Sequence, residues 1–423
     1  MENSQSLFKG ELMEELLRNY FQNLGYYVVR AIKFKYEGIE ITDLDLYLYS
    51  RSSSLTRHRI NVDIKNKKSP QAFERILWAN GLMKLLGFDS CIVATTDRRP
   101  VIHTFAQLHN TIILDGTFLA KLRPNSINER LSEEELLNRL ERNKSYKTYN
   151  NSDWKFIYET SKSRLLTELD FSGFNSTLSL LVYFIEKIII DKNKIEDATR
   201  MMYIILSHLL VIIDFIVKDI AFLDTSIREK KLSDGFKFGN LGKDGVDKII
   251  SMAVQISGNK SANSFQKSLE GISIDILKDF FSRNENTKNL FFLAKEFEAL
   301  GFKRDFVIPD AISSPLKSVI SVMLDYSKVE RRGFFESYGK ISDNIKHQFI
   351  QQPAGQTTAT SQSNPPVIPI QATAESQPTP SNMSTPSNMS IQTTTASQSS
   401  HVDQPNPEIQ GDQNRLESED KNK

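Results

Sequence analysis

Apolar positions recur with two different periods along this chain. Leu12, Leu16, Leu17, Tyr20, Phe21 and Leu24 fall on one face at helical spacing, and Gly25 stands where such a helix would end. Tyr26 to Arg30 then reads as a strand. Two further strand patterns follow, Thr42-Asp43-Leu44-Asp45-Leu46-Tyr47-Leu48-Tyr49 and Ile60-Asn61-Val62-Asp63-Ile64-Lys65, joined by a polar connection around Arg51 to Arg59. The helical period returns from about Gln71 to Leu86, with Phe73, Ile76, Leu77, Met83 and Leu86 as its apolar set and Gly87 at its end. Strands at 91–95 and 111–114, a short helix near 104–109 and a helix from about Phe118 complete this part. Helix, three strands, then alternation predicts an α/β fold: a mixed sheet flanked by helices.

Beyond residue 128 the period is almost entirely helical. Helices are expected at about 153–169, 176–190, 196–223, 244–257, 264–283, 286–300 and 313–327, and Ser132 with Glu135 forms a capping box for a linker helix. From 353 the pattern stops. That tail has no aromatic residue, is rich in Ser, Thr, Gln, Asn and Pro, and repeats Thr379 to Ser384 as Thr385 to Ser390. It lacks the apolar surface to offset its chain entropy, so disorder is expected. The expected organisation is an α/β domain at 7–125, an all-helical domain at 128–350 and a disordered tail at 353–423.

The single cysteine, Cys91, excludes a disulfide framework and a thiolate zinc site, and its apolar run predicts a buried spectator. No histidine has metal-ligand spacing to another. The opening Met1-Glu2-Asn3-Ser4-Gln5 lacks the basic and apolar regions of a signal peptide. The most apolar segment, Tyr203 to Leu223, carries His208, Asp214, Lys218 and Asp219, which points to a buried helix rather than a membrane span. A soluble, intracellular (cytoplasmic) protein with no membrane partner is expected. The formal net charge of +1 favours no partner, but residues 51–100 hold ten Arg and Lys against four acids. After Pro353 three bases face seven acids. A basic middle and an acidic tail suit a polyanion substrate.

That basic stretch surrounds the most informative chemistry. A carboxylate inside an apolar strand is costly unless a metal or partner offsets it. Alternation puts Asp63 and Lys65 on one side of their strand and Asp43 and Asp45 on one side of theirs. If the strands pair, one sheet edge carries carboxylates beside an ammonium, a set suited to holding Mg²⁺ and activating water against a phosphodiester.

An acid on one strand, followed on the next by acid-x-Lys, resembles the signature of the restriction-endonuclease-like nuclease superfamily. Here the residues are Asp45 (or Asp43) and Asp63-Ile64-Lys65. Gly10, Glu14, Gly25-Tyr26 and Val28-Val29-Arg30 are similar in order and spacing to the start of archaeal Holliday-junction resolvases. Cys91 to Thr96, Phe105-Ala106 and Ile112 to Gly116 are similar to the closing part of endonucleases that cleave modified DNA. The resemblance covers about residues 7 to 122. It departs in lacking the proline before the first acid and in having Asp63 where glutamate is commoner. Asp45 is favoured over Asp43 because it directly precedes the apolar alternation.

The resemblance implies a restriction-endonuclease-like fold and a Mg²⁺- (or Mn²⁺-) dependent deoxyribonuclease. Asp45 and Asp63 would be metal ligands, with the Ile64 carbonyl as a third and Glu14 assisting the metal shell. Lys65 would orient or help deprotonate the attacking water and offset charge on the phosphorane. Lys67, Lys68 and Arg75 would track the DNA backbone.

Each residue also has a plainer reading. Asp63 and Lys65 would make an edge-strand salt bridge, Asp43 and Asp45 would end a turn, and Glu14 would be a solvated helix residue. Glu14 lies at the margin of the apolar face, whereas Glu15 is expected to point to solvent. Trp78 is expected in the core rather than as a base-stacking platform. Gly235 to Gly245 read as a loop, because Lys237 and Asp244 break phosphate-loop spacing. The rival class is a catalytically silent nucleic-acid-binding or assembly protein that retains the fold. The helical region carries no recognition motif, and its role, whether homo-oligomerisation, docking of a protein partner or target choice, is left open by the sequence.

Overall fold

The structure, a computed structural model, describes residues 9–122, 129–143, 152–257 and 274–339. Helix α1 (Lys9–Asn23) stops because Gly25 takes a left-handed backbone (φ 96°) that turns the chain into β1 (Tyr27–Tyr36). β1, β2 (Ile39–Arg51) and β3 (Arg57–Lys65) form an antiparallel meander. α2 (Ala72–Leu86) then returns the chain to β4 (Ser90–Thr95), and α3 (Val101–Leu108) returns it to β5 (Thr111–Leu114). β4 and β5 both run parallel to β3, giving a five-stranded mixed sheet in the order β1-β2-β3-β4-β5. The parallel pairs require helical crossovers, whereas the antiparallel ones need only short turns. The expected mixed α/β class is therefore present.

Strand alternation sorts the core. Val28, Leu46, Leu48, Val62 and Ile64 join Leu17 and Phe21 of α1 and Leu119 of α4 (Gly116–Leu119) on one face. On the other face Cys91 and Val93 pack against Ile76 and Ala79 of α2, so Cys91 is buried as expected. Tyr27, Tyr47 and Tyr49 run into the helices that follow. These are α5 (Glu133–Glu141), α6 (Trp154–Thr167), α7 (Phe171–Ile190), α8 (Ile195–Val217), Thr225–Phe238, Gly242–Ser257, Ile274–Ser282, Asn284–Phe302, Ser314–Tyr326 and Arg331–Glu336. The Ser132 capping box forms as expected.

The sheet and these helices share one core. The division expected between 7–125 and 128–350 thus marks a change of secondary structure within one packed unit. α8 explains why: it is apolar and buried on nearly all sides, packing against α6 and α7 while its Ser207 and Asp214 bond the Tyr27 and Tyr49 hydroxyls of the sheet. Among the described residues two helices, Phe171–Ile190 and the segment ending in α8, are long and apolar enough to cross a membrane, but 94% of the apolar window of the second is buried inside the protein. Its Asp214 is clamped by Arg57 Nε at 2.5 Å, Arg51 Nη1 at 2.8 Å and Tyr49 Oη at 2.6 Å. Of the ionisable groups that argued against a span, Asp214 is thus paired with the sheet, His208 meets the Ser161 hydroxyl of α6, and Lys218 pairs with Asp219.

Three expectations change. Glu15 is 2% exposed, not solvated, because the Arg18 and Arg30 guanidinium groups and the Glu133 N–H all meet its carboxylate. Trp78 is 47% exposed, not core, since α2 is apolar on its outer as well as its inner side. The Gly235–Gly245 stretch is a helix end, one 3₁₀ turn and a new helix start rather than a loop. The tail from 353 and the first half of the helix expected at 264–283 lie outside the described residues.

Candidate active site

The acids collect where β3 parts from β2. The β2–β3 ladder pairs Leu46 with Val62 and ends there, while β3 continues beside β4 with Asp63 opposite Val93 and Lys65 opposite Thr95. Asp45 bridges the opening with its side chain: Oδ2 accepts the Ile64 N–H at 2.5 Å. Asp45 of β2 is thereby fixed against the acid-x-Lys segment of β3. On the other flank, Ala31 stands between the Arg30–Leu46 and Ile32–Leu44 pairs in a left-handed backbone (φ 49°). Lys162 of α6 donates to the Arg30 and Ala31 carbonyls at 3.2 and 3.0 Å, which holds that irregularity in place.

Burial pushes the Asp45 carboxyl up to about 6, opposed by the Ile64 N–H and reinforced by the neighbouring charge of Asp43. Arg75 and Lys65 lie within electrostatic reach and pull it back. Asp43 itself is exposed, next to Asp45 but without its bond to β3. Lys65 is half-buried and has no carboxylate within ion-pairing distance among the described residues. It does not form a salt bridge with Asp63, its neighbour on the same strand face.

Asp63 is buried and its counter-charge is Arg75. Nε donates to Oδ2 at 2.7 Å, and a terminal guanidinium nitrogen pairs with Oδ1. Arg75 had been expected to face DNA phosphate; half its reach is instead spent on a carboxylate. Lys67 and Lys68, just past the end of β3, are exposed and do present a basic surface. The residue that sequence reasoning missed here is Arg75 as the partner of Asp63. Its position one turn into α2, four residues after Gln71, was the available signal.

Glu14 comes from α1. Its carboxylate takes Arg30 Nε at 2.9 Å and Nη2 at 2.7 Å. Burial pushes it up to about 7; Arg30 opposes this, and the charge of Asp45 adds to it. Arg30 also binds Glu15 at 2.5 Å and Glu134 at 2.7 Å. Lys162 and Tyr158 close the cluster on Glu133. Glu14 is therefore within the field of Asp45 but tied to Arg30.

For a divalent ion the donors are hard oxygens: the Asp45 and Asp63 carboxylates and the Ile64 carbonyl between strands. Among the described residues no three Asp, Glu, His or Cys side chains gather into a ligand set by themselves. The fit rests on charge. Burial raises the proton affinity of Asp45 and of Glu14, the charge of Asp43 adds to the first and that of Asp45 to the second, and a cation relieves such crowding. Compared with known families, curated proteins and solved structures, the chain matches none.

Proposed function

We propose that the protein is a metal-dependent deoxyribonuclease of the restriction-endonuclease-like class. The observation that carries this reading is the Asp45–Ile64 bond. It joins the first acid to the acid-x-Lys segment at the point where two strands separate beside a basic surface. The antiparallel meander followed by parallel β4 and β5, with α1 against the sheet, supports the fold assignment. Mg²⁺ or Mn²⁺, when bound, supplies Lewis-acid stabilisation of the negative charge that builds on the phosphoryl group. Asp45, Asp63 and the Ile64 carbonyl hold it. Lys65, free of a carboxylate partner among the described residues, places a positive charge for the attacking water and the pentavalent phosphorus. Glu14 assists the metal shell from α1, and Lys67 and Lys68 seat the DNA backbone.

A second reading has one observation in its favour. Arg75 already neutralises Asp63, as it would in a protein that keeps the fold and binds nucleic acid without cutting it. Incubation with supercoiled, linear, branched and single-stranded DNA, with and without Mg²⁺ or Mn²⁺, separates the two. Metal-dependent nicks support the enzyme; binding without cleavage under every condition supports the silent module.

A further inference from the structure

The outer face of α2 has no partner among the described residues. Leu77, Trp78 and Leu85 are 53, 47 and 67% exposed, and the helix is apolar on both sides. An amphipathic surface helix keeps charge on its solvent side; one that does not is normally covered. Gly81 lies in the middle of this face, and a Cβ built there would meet no atom within 4 Å. Glycine inside an exposed helix is destabilising relative to alanine, and nothing among the described residues requires it. Glycine at such a place permits close approach of another backbone.

We propose that this face is a symmetric dimer seam in which α2 packs antiparallel against α2 of a second copy. The charges single out that occupant. Glu74 begins the face and Lys84 ends it; both are exposed and neither has an ion pair among the described residues. An antiparallel two-fold pairing centred on Ala79 puts Glu74 of each copy opposite Lys84 of the other. The same register lays Leu77 over Gly81, a large side chain into the gap a missing one leaves. A two-fold axis makes both contacts twice, which is how isologous interfaces achieve self-complementarity. Neither a polyanion nor an unrelated apolar segment would require the acid at one end and the base at the other.

The 15-residue helix is only about 22 Å long, so the seam is small and the dimer should be concentration-dependent. Its consequence is that the Asp63–Arg75 pairs of the two copies lie on opposite ends of one interface, since Arg75 belongs to the same helix. The inference itself rests on α2 alone and stands whether or not the protein cleaves DNA.

The test is sedimentation of the full chain from about 1 to about 100 µM, with Glu74→Lys, Lys84→Glu and the double exchange alongside. Each single reversal sets like charges together and should weaken association about tenfold, while the double exchange should restore it. Trp78 gives a second readout, because the other tryptophan, Trp154, is fully buried against Tyr183. Acrylamide quenching of Trp78 fluorescence should fall as the dimer forms, with Trp78→Phe as the blank. A monomer throughout this range overturns the proposal, as does a dimer indifferent to charge reversal. A monomer with Trp78 protected would mean that the chain's own remaining segments cover α2, and that too overturns it.

Discussion

Arg75 of α2 closes on Asp63 of β3 with both sides of its guanidinium, Nε donating to Oδ2 at 2.7 Å. The pair joins the helix that flanks the site to the strand that carries it. In a metal-dependent site the same carboxylate must serve two cations, one fixed and one mobile.

Replacing Arg75 by Gln should therefore lower stability in EDTA by about 1–3 kcal/mol, since a buried carboxylate loses its counter-charge. Mn²⁺ should restore most of that loss and stabilise the variant more than the parent, because Asp63 is freed for it. Thermal unfolding with and without Mn²⁺ reads both. Equal Mn²⁺ shifts in parent and variant would remove Asp63 from the metal site.

Lys65→Ala should abolish cleavage while leaving the fold and DNA affinity nearly unchanged. The ammonium has no carboxylate partner to lose among the described residues, so its removal acts on the transition state rather than on packing. Single-turnover rates beside a binding titration settle the matter, and a variant that cuts at the parental rate ends the catalytic assignment.

Much of this arrangement was legible in the sequence and some was not. The acid-x-Lys strand, the Gly25 and Gly87 helix ends and the Ser132 capping box are local, set by neighbours within a few residues. The partners of Asp63, Glu15 and Asp214 are not. Arg75 meets Asp63 only because α2 crosses the sheet, and Arg30 and Glu133 meet Glu15 only after three elements have packed. A hydrophobic pattern treats a carboxylate as a surface group wherever its counter-charge comes from elsewhere in the chain. Trp78 misled for the converse reason: an apolar residue counts as core in the pattern, even on a face that a single copy leaves open.

The two raised carboxyls predict a pH dependence of stability. Glu14 moves from 4.5 to about 7 and Asp45 from 3.8 to about 6, so the folded state binds protons more tightly than the unfolded state. Their contribution is then fully present below about pH 4 and is lost as pH rises to about 7. Glu14→Gln should flatten the fall between about pH 4.5 and 7, and Asp45→Asn that between about 4 and 6. Denaturant midpoints at several pH values measure the slopes. Divalent-ion affinity should rise across the same window as Asp45 ionises, and an affinity that stayed flat there would exclude Asp45 as a ligand.

DNA binding should weaken steeply with salt. Lys67→Ala and Lys68→Ala should each reduce the logarithmic slope by about 1, as exposed lysines that release counterions do. Arg75→Ala should change it less, because its guanidinium is committed to Asp63. A slope that falls most for Arg75 would show that the arginine leaves Asp63 when DNA arrives.

Asp214 offers a test of the shared core that does not depend on catalysis. It is fully buried in α8, yet its carboxylate is met by Arg57, Arg51 and the Tyr49 hydroxyl, all from the β2–β3 hairpin. Removing one member of a buried charge cluster leaves the others uncompensated, at a cost of about 3–5 kcal/mol. Asp214→Ala should therefore destabilise the protein by about that much, and its loss should be felt in sheet and bundle together. Hydrogen exchange distinguishes this from local damage: amides of β2 and β3 should lose protection along with those of α8. If only α8 loosened while the strands kept their protection, the sheet and the helices would be separate folding units. The single core drawn through α8 would then have to be divided at the connection before α5.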